Sequence, residues 1–151
     1  MKKLVLAAII MLTTIVETTA QSYEYKVITS VESIVPMGLG RSRIISSDED
    51  KDYKEFTSLR TAENKKQNKS KRADAKIDQF EETKLVNFYS IAGINFKNIA
   101  SNDALMSSKI NTMVTEGWDL AFVTSGVESD SGKGDGKGIY ITRYIFKRLK
   151  Q

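Results

Sequence analysis

The sequence predicts an α+β fold: a two-layer sandwich in which an antiparallel sheet of about four to five strands carries one main helix on one face. Three observations predict it. Residues 22–31, "SYEYKVITSV", and 138–148, "GIYITRYIFKR", alternate along the chain with a period of two and are rich in aromatic and β-branched residues, the signature of strands. Residues 101–118, "SNDALMSSKINTMVTEGW", place Met106, Ile110, Met113 and Val114 at helical spacing. Packing that helix on one face of the sheet buries the apolar side of both.

The chain opens with Lys2 and Lys3, an apolar run from Leu4 to Val16, and the small residues Thr18, Thr19 and Ala20. That order is the pattern of a secretory signal peptide, with cleavage expected after Ala20 and export to the periplasm or the extracellular space. The run is too short for a comfortable membrane span, and Glu17 with no basic flank behind it argues against a retained anchor. The remainder, 21–151, fits a single α+β domain.

In the first strand Tyr23, Tyr25, Val27, Thr29 and Val31 alternate with Glu24, Lys26, Ile28 and Ser30. "VPMGLG" at 35–40 holds the only proline and two glycines and breaks the pattern, and "RSRIIS" at 41–46 reads as a second, short strand. From 47 to about 84 the composition becomes densely charged and poor in apolar residues, as in a charged flexible insertion. Its middle, 60–76, carries seven basic residues against two acidic. It reads as a polyanion-binding arm or as a solvated loop, and composition favours the loop. Asn68-Lys69-Ser70 is a glycosylation sequon, which matters only under a eukaryotic secretory system.

Strand character returns at 84–99, where Leu85, Val86, Phe88, Tyr89 and Ile91 fit a strand ending near Gly93. The helix follows, with Asn102 or Ser101 as its expected N-cap, Asp103 in the first turn and Gly117 as a left-handed C-terminal stop. Trp118, Leu120 and Phe122 are expected on one face of the next strand, with Asp119, Ala121 and Val123 on the other. In the last strand Ile139, Ile141 and Ile145 fall on one side, and Tyr140, Thr142, Tyr144 and Phe146 on the other.

"YEYKVI" near the mature start, the "EGWDL" junction and the closing "YIFKR" resemble the bacterial domain of unknown function 4177. Tyr23 to Val27 match its opening Tyr-Glu-Tyr-Lys-Val strand. Glu116 to Leu120 match its Gly-Trp-Glu-Leu junction with Asp in place of Glu, and Tyr144 to Arg148 match its last strand. The likeness covers about half of the mature chain; residues 32–100 depart from it through the long charged segment. The resemblance implies a fold and no reaction. Trp118 is expected to be a core anchor.

The glycine stretch "SGKGDGKG", 131–138, tempts a chemical reading that its spacing rejects. A phosphate loop counted from Gly126 needs glycine where Ser131 stands, Gly132-Lys133 is followed by Gly134 where that motif needs a hydroxyl, and a strand is expected behind the stretch where the motif needs a helix. A dinucleotide fingerprint needs glycine where Lys137 stands. A calcium loop from Asp130 needs Asp or Asn where Gly132 and Gly134 stand and Glu where Ile141 stands, which leaves only a loose set of Glu128, Asp130 and Asp135. The stretch is expected to connect a hairpin.

The formal charge of +4 falls short of the field of a dedicated nucleic-acid binder. The chain contains no histidine and no cysteine, so the usual general base and nitrogen or thiolate metal ligands are missing from it, and no cofactor or metal site is expected. The expectation is a secreted or periplasmic binding or accessory module without intrinsic catalysis. Two alternatives stand beside it: a hydrolase-type enzyme using Ser/Lys or paired carboxylates in a cleft, and a homodimeric structural envelope protein. If the sheet gathers Arg41, Arg43, Arg143, Lys147 and Arg148, they form a basic patch for an anionic glycan or an envelope protein.

Overall fold

A computed structural model describes residues 21–35, 41–128 and 138–150. The leader 1–20, positions 36–40 of the 35–40 breaker and positions 131–137 of the glycine stretch, with Asp130 and Asp135, lie outside the described residues. The architecture is α+β. Seven strands are described: β1 Tyr23–Ser33, β2 Arg43–Ser46, β3 Glu81–Lys84, β4 Tyr89–Ser90, β5 Gly93–Ile94, β6 Asp119–Glu128 and β7 Ile139–Leu149. One helix, α1 Phe96–Thr115, lies between β5 and β6. Five strands form an antiparallel sheet in the order β3-β2-β1-β7-β6, and β4 pairs with β5 in a separate two-stranded ribbon. The longest register joins the first strand to the last, from Tyr23 opposite Leu149 to Ser33 opposite Ile139.

The helix covers one face. Ile28, Ile44 and Phe146 from the sheet meet Met113, Trp118 and Leu85, with Met106, Ile110 and Tyr144 packed around them. Each such buried side chain contributes about 1.5–3 kcal/mol relative to leaving it in water.

The helix starts earlier than its pattern predicts. Asn95 caps it, its side chain accepting from the Asn98 N–H at 3.2 Å. Asn102 is buried inside the second turn instead of capping the first. Its Oδ1 accepts from the Val86 N–H at 2.9 Å, and its Nδ2 donates to the Val86 carbonyl at 2.9 Å and to Glu32 Oε1 at 3.0 Å. One amide side chain thus satisfies both backbone groups of Val86, as a neighbouring strand would. That explains why residues 85–88 are not the strand their composition predicts: Leu85 donates to the Ser42 carbonyl at 3.0 Å, Val86 is held by Asn102, and pairing resumes only in the short β4–β5 ribbon, which turns at Gly93 with φ +104°.

The other end follows expectation. Gly117 sits at φ +84°, its N–H donates to the Val114 carbonyl and the Trp118 N–H to the Met113 carbonyl, both at 3.0 Å. This is a Schellman stop, and its accompanying apolar contact is Trp118 with Met113 in the core.

One face assignment differs from the alternation, and on β1, where the alternation holds, the structure decides which set is covered. A register shift between Leu120 and Phe122 places Leu120 opposite Phe146 and Phe122 opposite Ile145, so these two residues point to opposite faces. On β1 the helix covers the less apolar set: Ile28 and Ser30 are buried, whereas Tyr25 and Val27 are exposed.

The charged segment also contributes to the sheet, since Glu81–Lys84 pairs with β2 as its edge. Upstream, Tyr53–Phe56 forms a 3-10 turn capped by Asp52. At the far end Gly138 has a packing reason to be glycine: a Cβ there would come within 2.8 Å of Ile34, whose N–H donates to the Gly138 carbonyl.

Candidate binding face

Strand pleating decides what the uncovered face shows. Neighbouring residues on a strand point to opposite sides, and residues opposite one another on paired strands point to the same side. Because Ile28 and Phe146 face the helix, Val27, Ile145 and Phe122 form a cross-strand row on the other side. Flanking rows add Ile45 beside Thr29, and Val31 beside Ile141. Antiparallel sheets that cover one face usually alternate to polar residues on the other. Here the open face has Tyr25 64%, Val27 45% and Phe122 62% exposed, set among half-buried isoleucines.

One corner of this face is partly covered. Ile77 and Phe80, from the charged segment, lie against Val27 and Ile45 and enclose an apolar slot of about 160 Å³. Phe80 itself stays 57% exposed, so the slot is open-sided.

The basic residues singled out from the sequence divide between locations. Arg43, Arg143 and Lys147 share the open face: Arg43 pairs with Glu82 at 2.7 Å, Arg143 stands opposite Thr29 and Thr124, and Lys147 lies 5.0 Å from the centre of the Tyr23 ring. Arg148 is on the helix side, where it pairs with Glu24 and stacks 4.3 Å from the Trp118 ring. Arg41 precedes β2 and is half-buried. The patch therefore consists of three residues, because adjacent positions such as Lys147 and Arg148 cannot share a face.

Sequence reasoning did not single out Tyr25, Val27, Ile45, Phe122 and Ile145 as site residues. A signal was present: the even positions of β1 are Glu24, Lys26, Ser30 and Glu32, with Ile28 alone apolar, while the odd positions are richer in apolar groups. Only the position of the helix shows which set is left uncovered.

The other notable concavity, of about 610 Å³, is lined by Ser47, Asp48, Glu49, Asp78, Gln79, Phe80 and Glu81. A carboxylate pair working as acid and base needs one member raised toward neutral pH. Here Asp48 is lowered by its hydrogen bond to Lys26, Glu49 by backbone N–H donation from Asp78, and Glu81 by its hydrogen bonds from Lys109 and Ser46. All three stay ionised at neutral pH. Tyr144 is raised by burial, which keeps its hydroxyl protonated as it packs beside the core.

Among the described residues no cluster of three or more acidic groups is arranged to hold a metal ion, and no helix is long and apolar enough to cross a membrane. No family model, curated protein or solved structure matches the chain.

Proposed function

We propose that this chain is an exported, non-catalytic accessory module that binds a partner through the open face of its sheet. The observation that carries this reading is the row Val27–Ile145–Phe122, with Tyr25 and Ile45 beside it, over which the described residues place no helix and only Ile77 and Phe80 at the Val27–Ile45 corner. A contiguous exposed apolar surface rimmed by charge is the mark of an interaction site. Arg143, in the row between Ile145 and Ile141, with Arg43 and Lys147 elsewhere on the same face, favours a partner that joins apolar groups to acidic ones, such as an envelope protein; an anionic glycan would use the cations alone.

Capture from an envelope extract tests this reading, with the wild-type protein beside Val27→Glu/Phe122→Glu and Arg43→Glu/Arg143→Glu. A protein captured by the wild type and lost with the first variant supports it. Capture that the first variant leaves unchanged, or loss only with the second, overturns the apolar face as the binding surface.

A second reading has its own observation. β6 ends the sheet as a ten-residue strand exposed along its whole length, with no lysine or proline in "DLAFVTSGVE". Such an edge is a template for pairing with another copy. Light scattering would return a dimer mass if β6 pairs in this way; a strict monomer at high concentration eliminates it.

A further inference from the structure

The charged segment between β2 and β3 folds on itself into a tip, and we propose that this tip rests on an anionic lipid bilayer surface. The inference is independent of the open sheet face. It begins from charge. Residues 53–76 hold eight Lys/Arg and three Asp/Glu, a formal +5, and the remaining fifteen basic and sixteen acidic residues bring the rest of the chain to −1. The molecule's positive excess is therefore concentrated in one short segment.

Hydrogen bonds turn that segment into a unit. The Asn68 N–H donates to Ser58 Oγ at 2.8 Å, and its Nδ2 donates to the carbonyls of Glu55 at 2.8 Å and Thr57 at 3.3 Å. The Ser70 hydroxyl donates to the Glu55 carbonyl at 2.6 Å, Asn64 Nδ2 to the Leu59 carbonyl at 3.3 Å, and Arg60 to the Lys65 carbonyl at 3.2 Å. Two passes of chain, 55–60 and 64–70, are thereby clasped side by side. The lysine side chains take no part in these bonds, Arg60 gives one N–H to the clasp, and all eight cationic residues are exposed to an external anion. Among the described residues no carboxylate forms an ion pair with any of the eight.

The same unit exposes apolar groups that a soluble tip has no use for: Tyr53 is 71% and Leu59 76% exposed. Leu59 is next to the clasp that brings Lys65 close. Cations attract a bilayer of anionic headgroups, and a tyrosine and a leucine beside them have an apolar boundary to enter; stable surface binding takes both signals. Single-stranded nucleic acid would call for aromatics interleaved with the cations, whereas Tyr53 and Phe56 stand ahead of the 60–76 run that carries seven of the eight cations and has no aromatic. The roots of the tip point the same way. Asp48, Glu49, Asp50 and Asp52 stand at one root and Asp78, Glu81 and Glu82 at the other. An anionic surface repels these roots and attracts the tip, so approach is restricted to tip-first.

Co-sedimentation of the full protein with vesicles tests the proposal at about 0.1 M salt, where charges act over about 10 Å. The expected result is binding to phosphatidylcholine vesicles containing about 30% phosphatidylglycerol and none to phosphatidylcholine alone. Reversing Lys65, Lys66, Lys69 and Lys71 to Glu takes the tip from +5 to −3. It should weaken binding by about a hundredfold or more, since each cation near the surface contributes roughly fivefold. Tyr53→Ser/Leu59→Ser should weaken it about tenfold through lost apolar contact. Circular dichroism melting shows whether each variant remains folded. Asn68 and Ser70, which hold the clasp, are left in place, and Phe122→Glu on the open face should bind vesicles as the wild type does.

Equal binding to both vesicle types, binding to neither, or retention by the quadruple reversal overturns the proposal. It is also overturned if heparin in solution captures the tip while Tyr53→Ser/Leu59→Ser leaves vesicle binding unchanged, because the site is then a general polyanion site.

Discussion

Phe146 is fully buried, while Ile145, one residue earlier on β7, points out of the other side of the sheet between Val27 and Phe122 and is half-buried. The same contrast holds on β1 between Ile28 and Val27, and on β2 between Ile44 and Ile45. On the inner face α1 supplies Met106, Ile110 and Met113, the junction supplies Trp118, and the 85–86 segment closes the side. On the outer face, among the described residues, Ile77 and Phe80 reach one corner. The difference shows that apolar composition does not make a core. A core needs a second layer, and the described residues have one α-helix to give.

The largest expected effect sets adjacent residues against each other. Phe146→Ala should cost about 3–5 kcal/mol through lost burial and the cavity left behind. Ile145→Ala should cost about 1 kcal/mol or less, as for a side chain that packs only on its strand neighbours. Urea midpoints measure both. Equal losses would mean that the outer face is a second core and would break the comparison.

A smaller effect tests how the inner face is closed. Asn102→Ala removes three hydrogen bonds and leaves the Val86 N–H and carbonyl without their partner, an expected loss of about 1–3 kcal/mol. Hydrogen exchange at the Val86 amide should quicken more than at Val27, whose strand pairing is untouched. Uniform acceleration along the sheet would show that Asn102 supports the whole fold instead of one closing segment.

The smallest effect concerns the rim of the inner face. Lys26 pairs with Asp48, and Lys109 on α1 pairs with Glu81 on β3 at 2.9 Å. Both carboxylates are held below their ordinary values of 3.8 and 4.5, first by hydrogen bonds from those lysines. Stability from a depressed carboxylate is fully present above the unfolded value and is lost as pH falls through the folded one. The thermal midpoint should therefore decline below about pH 4, and Lys109→Met should flatten part of that decline. The change should be modest, because the side chains of Asp48 and Glu81 are 75% and 67% exposed and water screens such pairs. A pH profile identical in Lys109→Met and wild type would remove this pair from the account.

The elements that were legible in advance are those whose information is local. The long alternating runs at β1 and β7 carry their period in their own residues, and Gly117 followed by Trp118 announces a helix stop and an anchor within two positions. What was not legible depended on a distant partner. Residues 85–88 have strand composition, yet their backbone is claimed by Asn102, sixteen positions away from Val86. Asn102 resembles an N-cap by type, yet Asn95 caps the helix because residues 96–101 join it. Leu120 and Phe122 look like same-face neighbours until a bulge separates them. The charged 47–84 segment gave no sign that its last four residues pair with β2.

The basic patch shows the same division. Arg43, Arg143 and Lys147 share a face because their strands align in register, a relation that pairing creates and that spacing within one strand cannot express. By itself the sequence determined the long strands at β1 and β7, the helix and its stop, the lack of histidine and cysteine chemistry, and the concentration of positive charge in 53–76. These follow from short-range periodicity, backbone sterics and residue inventory. The tertiary structure alone decided which face of the sheet became core and which was left open. Both faces carry apolar residues, and only the docking of α1 on one of them removes that side from water.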